Sequence, residues 1–160
     1  DSSSAGEINW WEFEVNRPGR RAIMNNIAGA IGLAQMDKLP GFLTRRRAID
    51  NIYREAFSDL KWLTLPPSIP SNYQSSYYTF WLQTKYRDSL ARYLLENGVY
   101  TTFRYWPLHK IKFFSKEAGG IFNLPGAENA SQNTLNIPLH QSLTDEEVTK
   151  IIDLIRRFKP

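Results

Sequence analysis

The stretch from Arg17 to Gln35, RPGRRAIMNNIAGAIGLAQ, constrains this chain most. Pro18 and Gly19 break a basic loop that carries Arg17, Arg20 and Arg21 and runs straight into a small-residue helix. Asn25 or Asn26 can accept a hydrogen bond from the free N–H groups of the first turn and so start that helix. Ile27, Ala30, Ile31 and Ala34, continued by Met36 to Leu39, make one face, with Gly29 and Gly32 among them. A glycine inside a helix costs about 1 kcal/mol against alanine, so two of them predict that something packs very close. Arginines beside a helix start also favour an anion, through the free N–H groups and the helix dipole. On these residues alone, a buried helix after a surface loop is the plainer account.

With 160 residues, 42% of them hydrophobic and 22% charged, the chain has room for one domain with a proper core and is short for two. No apolar run approaches the ~20 residues of a membrane helix. No basic start followed by an apolar stretch marks a secretory signal. A cytoplasmic protein without membrane attachment is therefore expected. The lack of cysteine excludes disulfides and thiolate metal sites, and two histidines without cysteine make no convincing metal site. The net charge of +4 comes in short clusters, Arg20–Arg21, Arg45–Arg47 and Arg156–Arg157, with acids interspersed. Without a long basic tract, nucleic acid is not the expected partner. The chain opens DSSSAGE without a methionine, so a processed product or a piece of something longer is expected, its polar opening reading as a linker.

Alternation of Trp11, Phe13 and Val15 with Glu12 and Glu14 predicts a short extended segment over Ile8–Val15. A first helix is expected from Asn26 to about Leu39, kinked or broken at Pro40-Gly41. A second stretch, Phe42–Phe57, turns Leu43, Ile49, Ile52, Tyr53 and Phe57 toward a core. Its triple arginine reads as solvated surface, with Arg46 and Asp50 paired at i,i+4. Strands are expected at Trp62–Leu65, Tyr77–Thr84, Val99–Trp106 and Leu135–Leu139. Asp88 is expected to cap a helix that ends at Asn97-Gly98. A short helix follows Pro125-Gly126, and Thr144 with Glu147 forms a capping box for a last helix burying Val148, Ile151, Ile152, Ile155 and Phe158. The predicted class is α+β: a small, mostly antiparallel sheet with helices on one face.

Chemistry concentrates in Tyr100–His109, YTTFRYWPLH. Arg104 among aromatics can fork a carboxylate or phosphate, or stack structurally on a neighbouring ring. His109, just past Pro107, and His140, just past Pro138-Leu139, can each be an acid, a base or an ordinary histidine beside a turn. No phosphate-cradling Gly-x-x-x-x-Gly-Lys loop or Gly-x-Ser-x-Gly elbow occurs.

Gly19–Gln35 resembles the Gly-Tyr-Asn-Tyr-Arg-Met-x-Asn-Ile-x-Ala-Ala-Ile-Gly-Leu-x-Gln signature of the DegT-type sugar aminotransferases, pyridoxal-phosphate enzymes of fold type I. The resemblance continues in Lys38-Leu39, Arg45–Arg47, Gly98 through Tyr105–His109, Asn136–His140 and Leu143–Val148, covering about Trp10 to Phe158 in order. It implies the C-terminal portion of such an enzyme, divided into an extended segment and basic loop over 1–25, a long interdomain helical region over 26–58, and a small α+β domain over 59–160. In that family the Schiff-base lysine lies upstream of the stretch that this chain resembles. No catalytic residue is therefore expected in this chain, which alone should be inactive.

By the same resemblance, pyridoxal 5'-phosphate is held by the large domain and a partner subunit of a homodimer. Arg21, Asn25 and Asn26 are implied as contacts to its phosphate, and Arg104, Tyr105 and His109 as contacts to substrate. The implied reaction moves an amino group from glutamate to a keto group of a nucleotide-linked sugar, as in polysaccharide or antibiotic-sugar biosynthesis. The anions involved would account for the arginines better than nucleic acid does. Three departures bear on this: Arg21 stands where the family often has Asn, Ile23 where it often has Arg or another polar residue, and Arg104 replaces a common His. An alternative reading is a stand-alone dimerisation or regulatory module derived from that domain.

Overall fold

The computed structural model describes residues 23–117, 119–120 and 122–160. The chain divides into two compact units, Asp1–Asp37 and Lys38–Pro160. The predicted segment Ile8–Val15 and the loop with Arg21 lie outside the described residues.

The first unit contains the start of helix α1 (Asn26–Phe57). Asn25 is its cap: the Asn25 Oδ1 accepts the Ala28 N–H at 2.8 Å, and the Asn25 carbonyl accepts the Gly29 N–H at 3.0 Å. Ile27, Ile31, Leu33 and Met36 are each more than half exposed, so this part of the helix is not the buried one that its composition suggests. Among the described residues, a Cβ on Gly32 would meet nothing within 4 Å and one on Gly29 only the Met24 Cε at 3.9 Å. The close neighbour that two helical glycines predict is not supplied by those residues.

The helix runs on through Pro40 without the expected break. Proline removes one N–H donor from the ladder, and at an exposed position water can serve the orphaned carbonyl. The Thr44 hydroxyl donates back to the Pro40 carbonyl at 2.9 Å. In the second unit Ile49, Tyr53 and Phe57 form a buried i,i+4 stripe, whereas Ile52 lies off it and is exposed. Asp50 pairs with Arg54 at 2.6 Å, not with Arg46, because Arg54 is also drawn to the Pro66 carbonyl at 2.7 Å. Arg46 instead forks onto the Gln141 Oε1 through Nε and Nη2 at 3.1 and 2.9 Å. Arg45 donates to the Leu143 carbonyl at 2.6 Å and pairs with Asp145 at 2.8 Å. Two of the three clustered arginines thus fasten α1 to the 141–145 turn, and only Arg47 remains an exposed surface residue.

Strands β1 (Phe80–Gln83) and β2 (Thr134–Ile137) pair antiparallel, with Phe80 opposite Ile137 and Leu82 opposite Leu135. Single bridges extend the sheet at both edges, Thr64 to Gln83 and Thr102 to Asn136. The strands are shorter than their aromatic and β-branched composition predicts. Pro66-Pro67 and Pro107 lack the N–H groups that would propagate the two edge segments. One sheet face, Phe80, Leu82, Leu135 and Ile137, shares a single buried cluster with the α1 stripe, with Leu90 and Leu94 of α2 (Arg87–Glu96), and with Val148, Ile151 and Ile155 of α5 (Asp145–Arg157).

Asp88 lies in the first turn of α2 and pairs with Arg87 at 2.6 Å; it is not the cap, a position held by Tyr86 without a side-chain hydrogen bond. The α2 end is as predicted: Gly98 takes φ of +77°, where glycine carries no Cβ penalty, and the Val99 N–H returns to the Leu94 carbonyl at 2.8 Å. A 3₁₀ turn (Leu108–Lys110), α3 (Lys112–Glu117) and α4 (Pro125–Asn133) connect the 98–106 segment to β2. The α5 capping box is complete, with the Thr144 Oγ1 accepting the Glu147 N–H at 3.2 Å and the Glu147 Oε2 accepting the Thr144 N–H at 2.9 Å.

Candidate functional site

A cavity of about 450 Å³ opens in the second unit between the 98–104 segment, the end of β2 with the turn after it, and α5. Tyr78, Arg104, Asn136, His140 and Lys150 are its polar lining residues of interest. The backbone explains their meeting. Thr102 and Asn136 exchange N–H···O bonds at 3.0 and 2.8 Å, which lays the 98–104 segment along β2 and brings Arg104 to the rim.

Arg104 donates through Nη1 to the Tyr78 hydroxyl and, at 3.2 Å, to the Tyr105 hydroxyl. Its guanidinium also lies 5.2 Å from the Tyr78 ring centroid and 5.8 Å from that of Tyr105. A cis peptide joins Arg104 to Tyr105. The hydrogen bond from Arg104, followed by one from Tyr78, holds the Tyr105 phenol below the usual tyrosine range, and the same Arg104–Tyr105 bond raises the guanidinium. Arg104 thus stacks on two rings and is exposed, with N–H donors beyond those the two hydroxyls take.

His109 is not part of this arrangement. The turn after Pro107 carries it to α4, where its Nε2 lies 3.3 Å from the Glu128 Oε1 and its ring is only 8% exposed. Lys110 reaches the other Glu128 oxygen at 2.9 Å and lies 5.8 Å from the Trp106 ring. Lys110 first, and His109 second, hold the Glu128 carboxyl below its ordinary value. The sequence trio Arg104, Tyr105 and His109 thus divides into a pair beside the cavity and a histidine in a separate ion cluster. Asn25 and Asn26 stand at the α1 start in the first unit, both exposed, and Arg21 lies outside the described residues.

Tyr78, Asn136 and Lys150 escaped the sequence reading. An asparagine between Leu135 and Ile137 was the available signal for one of them; nothing in sequence spacing links Tyr78 or Lys150 to Arg104. His140, left open by its sequence context, lines the cavity. Among the described residues no group of acids and histidines is placed to hold a metal ion, and no helix is long and apolar enough to cross a membrane.

Residues 3–156 match the family model described as the DegT/DnrJ/EryC1/StrS aminotransferase family. The chain is similar to a dTDP-4-dehydro-2,3,6-trideoxy-D-glucose 4-aminotransferase of Saccharopolyspora spinosa, 40% identical over 153 residues, which are 94% of this chain and 39% of that protein. It is 27% identical to an Escherichia coli dTDP-4-amino-4,6-dideoxy-D-glucose transaminase, over 90% of this chain and 40% of that protein. Among solved structures, the aminotransferase TlmJ from Streptoalloteichus hindustanus superposes with a TM-score of 0.81 at 44% identity, over 94% of this chain and 40% of that one. The chain spans about two fifths of the length of these relatives. It belongs to the DegT/DnrJ/EryC1/StrS aminotransferase family.

Proposed function

We propose that this chain acts as the C-terminal portion of a pyridoxal-phosphate-dependent aminotransferase that transfers an amino group from glutamate to a keto group of a nucleotide-linked sugar. The observation that carries this reading is the family match over residues 3–156 together with 40% identity to a dTDP-keto-sugar aminotransferase. The site geometry is compatible with it. Arg104 keeps an exposed guanidinium, oriented by the Tyr78 and Tyr105 hydroxyls, and such a fork suits a substrate diphosphate or carboxylate.

For the cofactor, the residues at the α1 start fit a phosphate contact. The Asn25 Oδ1 is spent on the helix cap, which leaves its amide N–H groups outward as donors. Asn26 is exposed at the first helical position, where anions are favoured. Asn25, Asn26 and Arg21 would hold the phosphate, in a homodimer from the neighbouring subunit. Pyridoxal phosphate, when bound, supplies the electron sink for amino transfer; this chain's residues supply binding and orientation. In the family that it resembles the Schiff-base lysine lies upstream of the matching stretch, so the chain alone is expected to be inactive.

A chimera tests this reading. In the Saccharopolyspora relative, the matching C-terminal stretch is replaced by this chain. Amino transfer to dTDP-keto sugars should persist, and Arg104→Ala should raise KM for the nucleotide sugar roughly tenfold or more, as loss of a charge-assisted hydrogen bond does. A folded, cofactor-loaded chimera without transfer would count against the reading.

A further inference from the structure

His109 lies five positions past Arg104, yet its ring is only 8% exposed and does not line the cavity. Its Nε2 is 3.3 Å from the Glu128 Oε1, and the Lys110 Nζ is 2.9 Å from the other carboxylate oxygen. Lys110 favours the ionised form of Glu128, and an ionised carboxylate only accepts, so the His109 Nε2 carries a proton and donates it. Glu128 itself stands on a fixed base. The buried Ser131 hydroxyl donates to the Glu128 carbonyl at 2.8 Å, and the Ser131 carbonyl accepts the Arg87 Nη1 at 3.1 Å. Helix α4 then runs directly into β2, and at their junction the Asn133 carbonyl accepts the Thr84 N–H at 3.0 Å.

The backbone that carries Arg104 has no such support of its own. Among the described residues, 103–106 form no backbone–backbone hydrogen bond. The last such bonds before this stretch are the two between Thr102 and Asn136. The first after it closes the 3₁₀ turn, from the Lys110 N–H to the Pro107 carbonyl at 2.9 Å. Pro107 offers no N–H. Tyr105 is 72% and Trp106 54% exposed, so packing fixes little beyond the Phe103 ring, which lies 5.5 Å from the Arg87 guanidinium. The stretch is a strap, tied to the sheet at Thr102 and to α4 by His109 and Lys110, with Arg104 and Tyr105 between the two ties.

We propose that His109 and Glu128 are positioning residues: their hydrogen bond, with Lys110 beside it, holds the strap so that the Arg104 guanidinium stays at the cavity rim, and His109 itself touches no substrate. Fixing both ends of a short segment narrows what its middle can reach. A guanidinium already in place then meets an anion without the entropy cost of being ordered at that moment. The proposal rests on the aminotransferase reading only for the ligand that Arg104 meets; the coupling of Glu128 to Arg104 is a property of this chain alone.

The test has one arm in this chain and one in the chimera with the Saccharopolyspora relative. In this chain the hydrogen bond from Arg104 makes the Tyr105 phenol ionise early, so a spectrophotometric alkaline titration reads whether Arg104 is in place. Glu128→Ala should move that ionisation back toward the other tyrosines, as Arg104→Met does. Glu128 is partly exposed on a helix and alanine is the best helix former, so this variant is expected to fold even if His109→Ala, at a buried ring, does not. In the chimera, Glu128→Ala should raise KM for the nucleotide sugar roughly three- to tenfold, with kcat changed less than about twofold. Added to Arg104→Ala it should raise KM no further, because a residue that acts through Arg104 has nothing left to act on. His109→Gln, whose amide nitrogen can stand where Nε2 stands and donate to Glu128, should keep KM within about twofold of the parent. A Glu128→Ala chain that keeps the early ionisation, or KM effects of Glu128→Ala and Arg104→Ala that multiply, would overturn the proposal. A chimera without any transfer would strike the aminotransferase reading instead, and the titration of this chain would still decide the positioning.

Discussion

The Tyr53 hydroxyl donates to the Pro138 carbonyl at 3.0 Å, tying the middle of the α1 stripe to the chain just beyond β2. Tyr53 is fully buried, and that burial pushes its phenol well above the usual tyrosine range, so the group remains a donor at every ordinary pH. Its ring stacks on Phe57 at 5.8 Å and meets Phe80 edge-on at 5.2 Å. Tyr53→Phe keeps the rings and orphans the Pro138 carbonyl, which should cost roughly 1–2 kcal/mol. Tyr53→Ala removes the ring as well and should cost about 3–5 kcal/mol. Urea denaturation of both variants checks the order; equal losses would mean that the hydrogen bond contributes nothing beyond packing.

At Gly98, just past the end of α2, the backbone itself demands glycine. At φ of +77° an alanine Cβ is strained, and Gly98→Ala should destabilise by about 1 kcal/mol. Gly98→Asn should lose less, because asparagine tolerates the left-handed region better. The added Cβ would meet only the Lys150 Nζ at 3.5 Å, the movable end of a flexible side chain, so backbone strain rather than a clash sets the loss. Thermal melts of the two variants would separate these causes: strain ranks alanine below asparagine, and a clash reverses the order.

How far the sequence reaches is set by the range of the interaction. Thr144 and Glu147, three residues apart, are read correctly because a capping box is complete within one turn. Gly98 and the Leu135–Ile137 strand are legible for the same local reason. Arg46 and Asp50 mislead, since the i,i+4 rule holds only while no stronger partner is near; Arg46 finds Gln141 and Asp50 finds Arg54. Arg104 and His109 sit five positions apart and share a motif, yet the turn after Pro107 sends them to different clusters. The cavity was beyond reach because Tyr78, Asn136 and Lys150 converge through strand pairing and helix packing, which leave no periodic trace. The apolar residues of early α1 were legible as a hydrophobic face.

Glu128 should make the α4 region acid-sensitive. Lys110 and His109 hold its carboxyl below the ordinary glutamate value. A depressed folded-state value means that the stabilisation is complete above the unfolded value and is lost as pH falls through the folded one. Glu128→Gln should therefore melt below the parent protein at neutral pH, with the gap closing in acid once Glu128 is protonated in both states. Melting curves at about pH 7 and about pH 3 check this. A gap of constant size would show that the glutamine loses packing or hydrogen bonding rather than charge.

Arg104 and Tyr105 should titrate as a pair. The hydrogen bond between them lowers the phenol and raises the guanidinium, so each shift implies the other. Replacing Arg104 by methionine removes the cation while leaving a flexible side chain at an exposed position, where little folding cost is expected. In a spectrophotometric alkaline titration the parent protein should then show one tyrosine ionising earlier than it does in Arg104→Met. Tyr105→Phe should delete that early step outright and leave the other tyrosines unchanged. If Tyr105→Phe retains the early step, another phenol carries it and the pairing of Arg104 with Tyr105 is not what orders the cavity rim. If the step vanishes in both variants, the guanidinium that the proposed function assigns to substrate is held by Tyr105 before any ligand arrives, and the cost of orienting it is already met in the free protein.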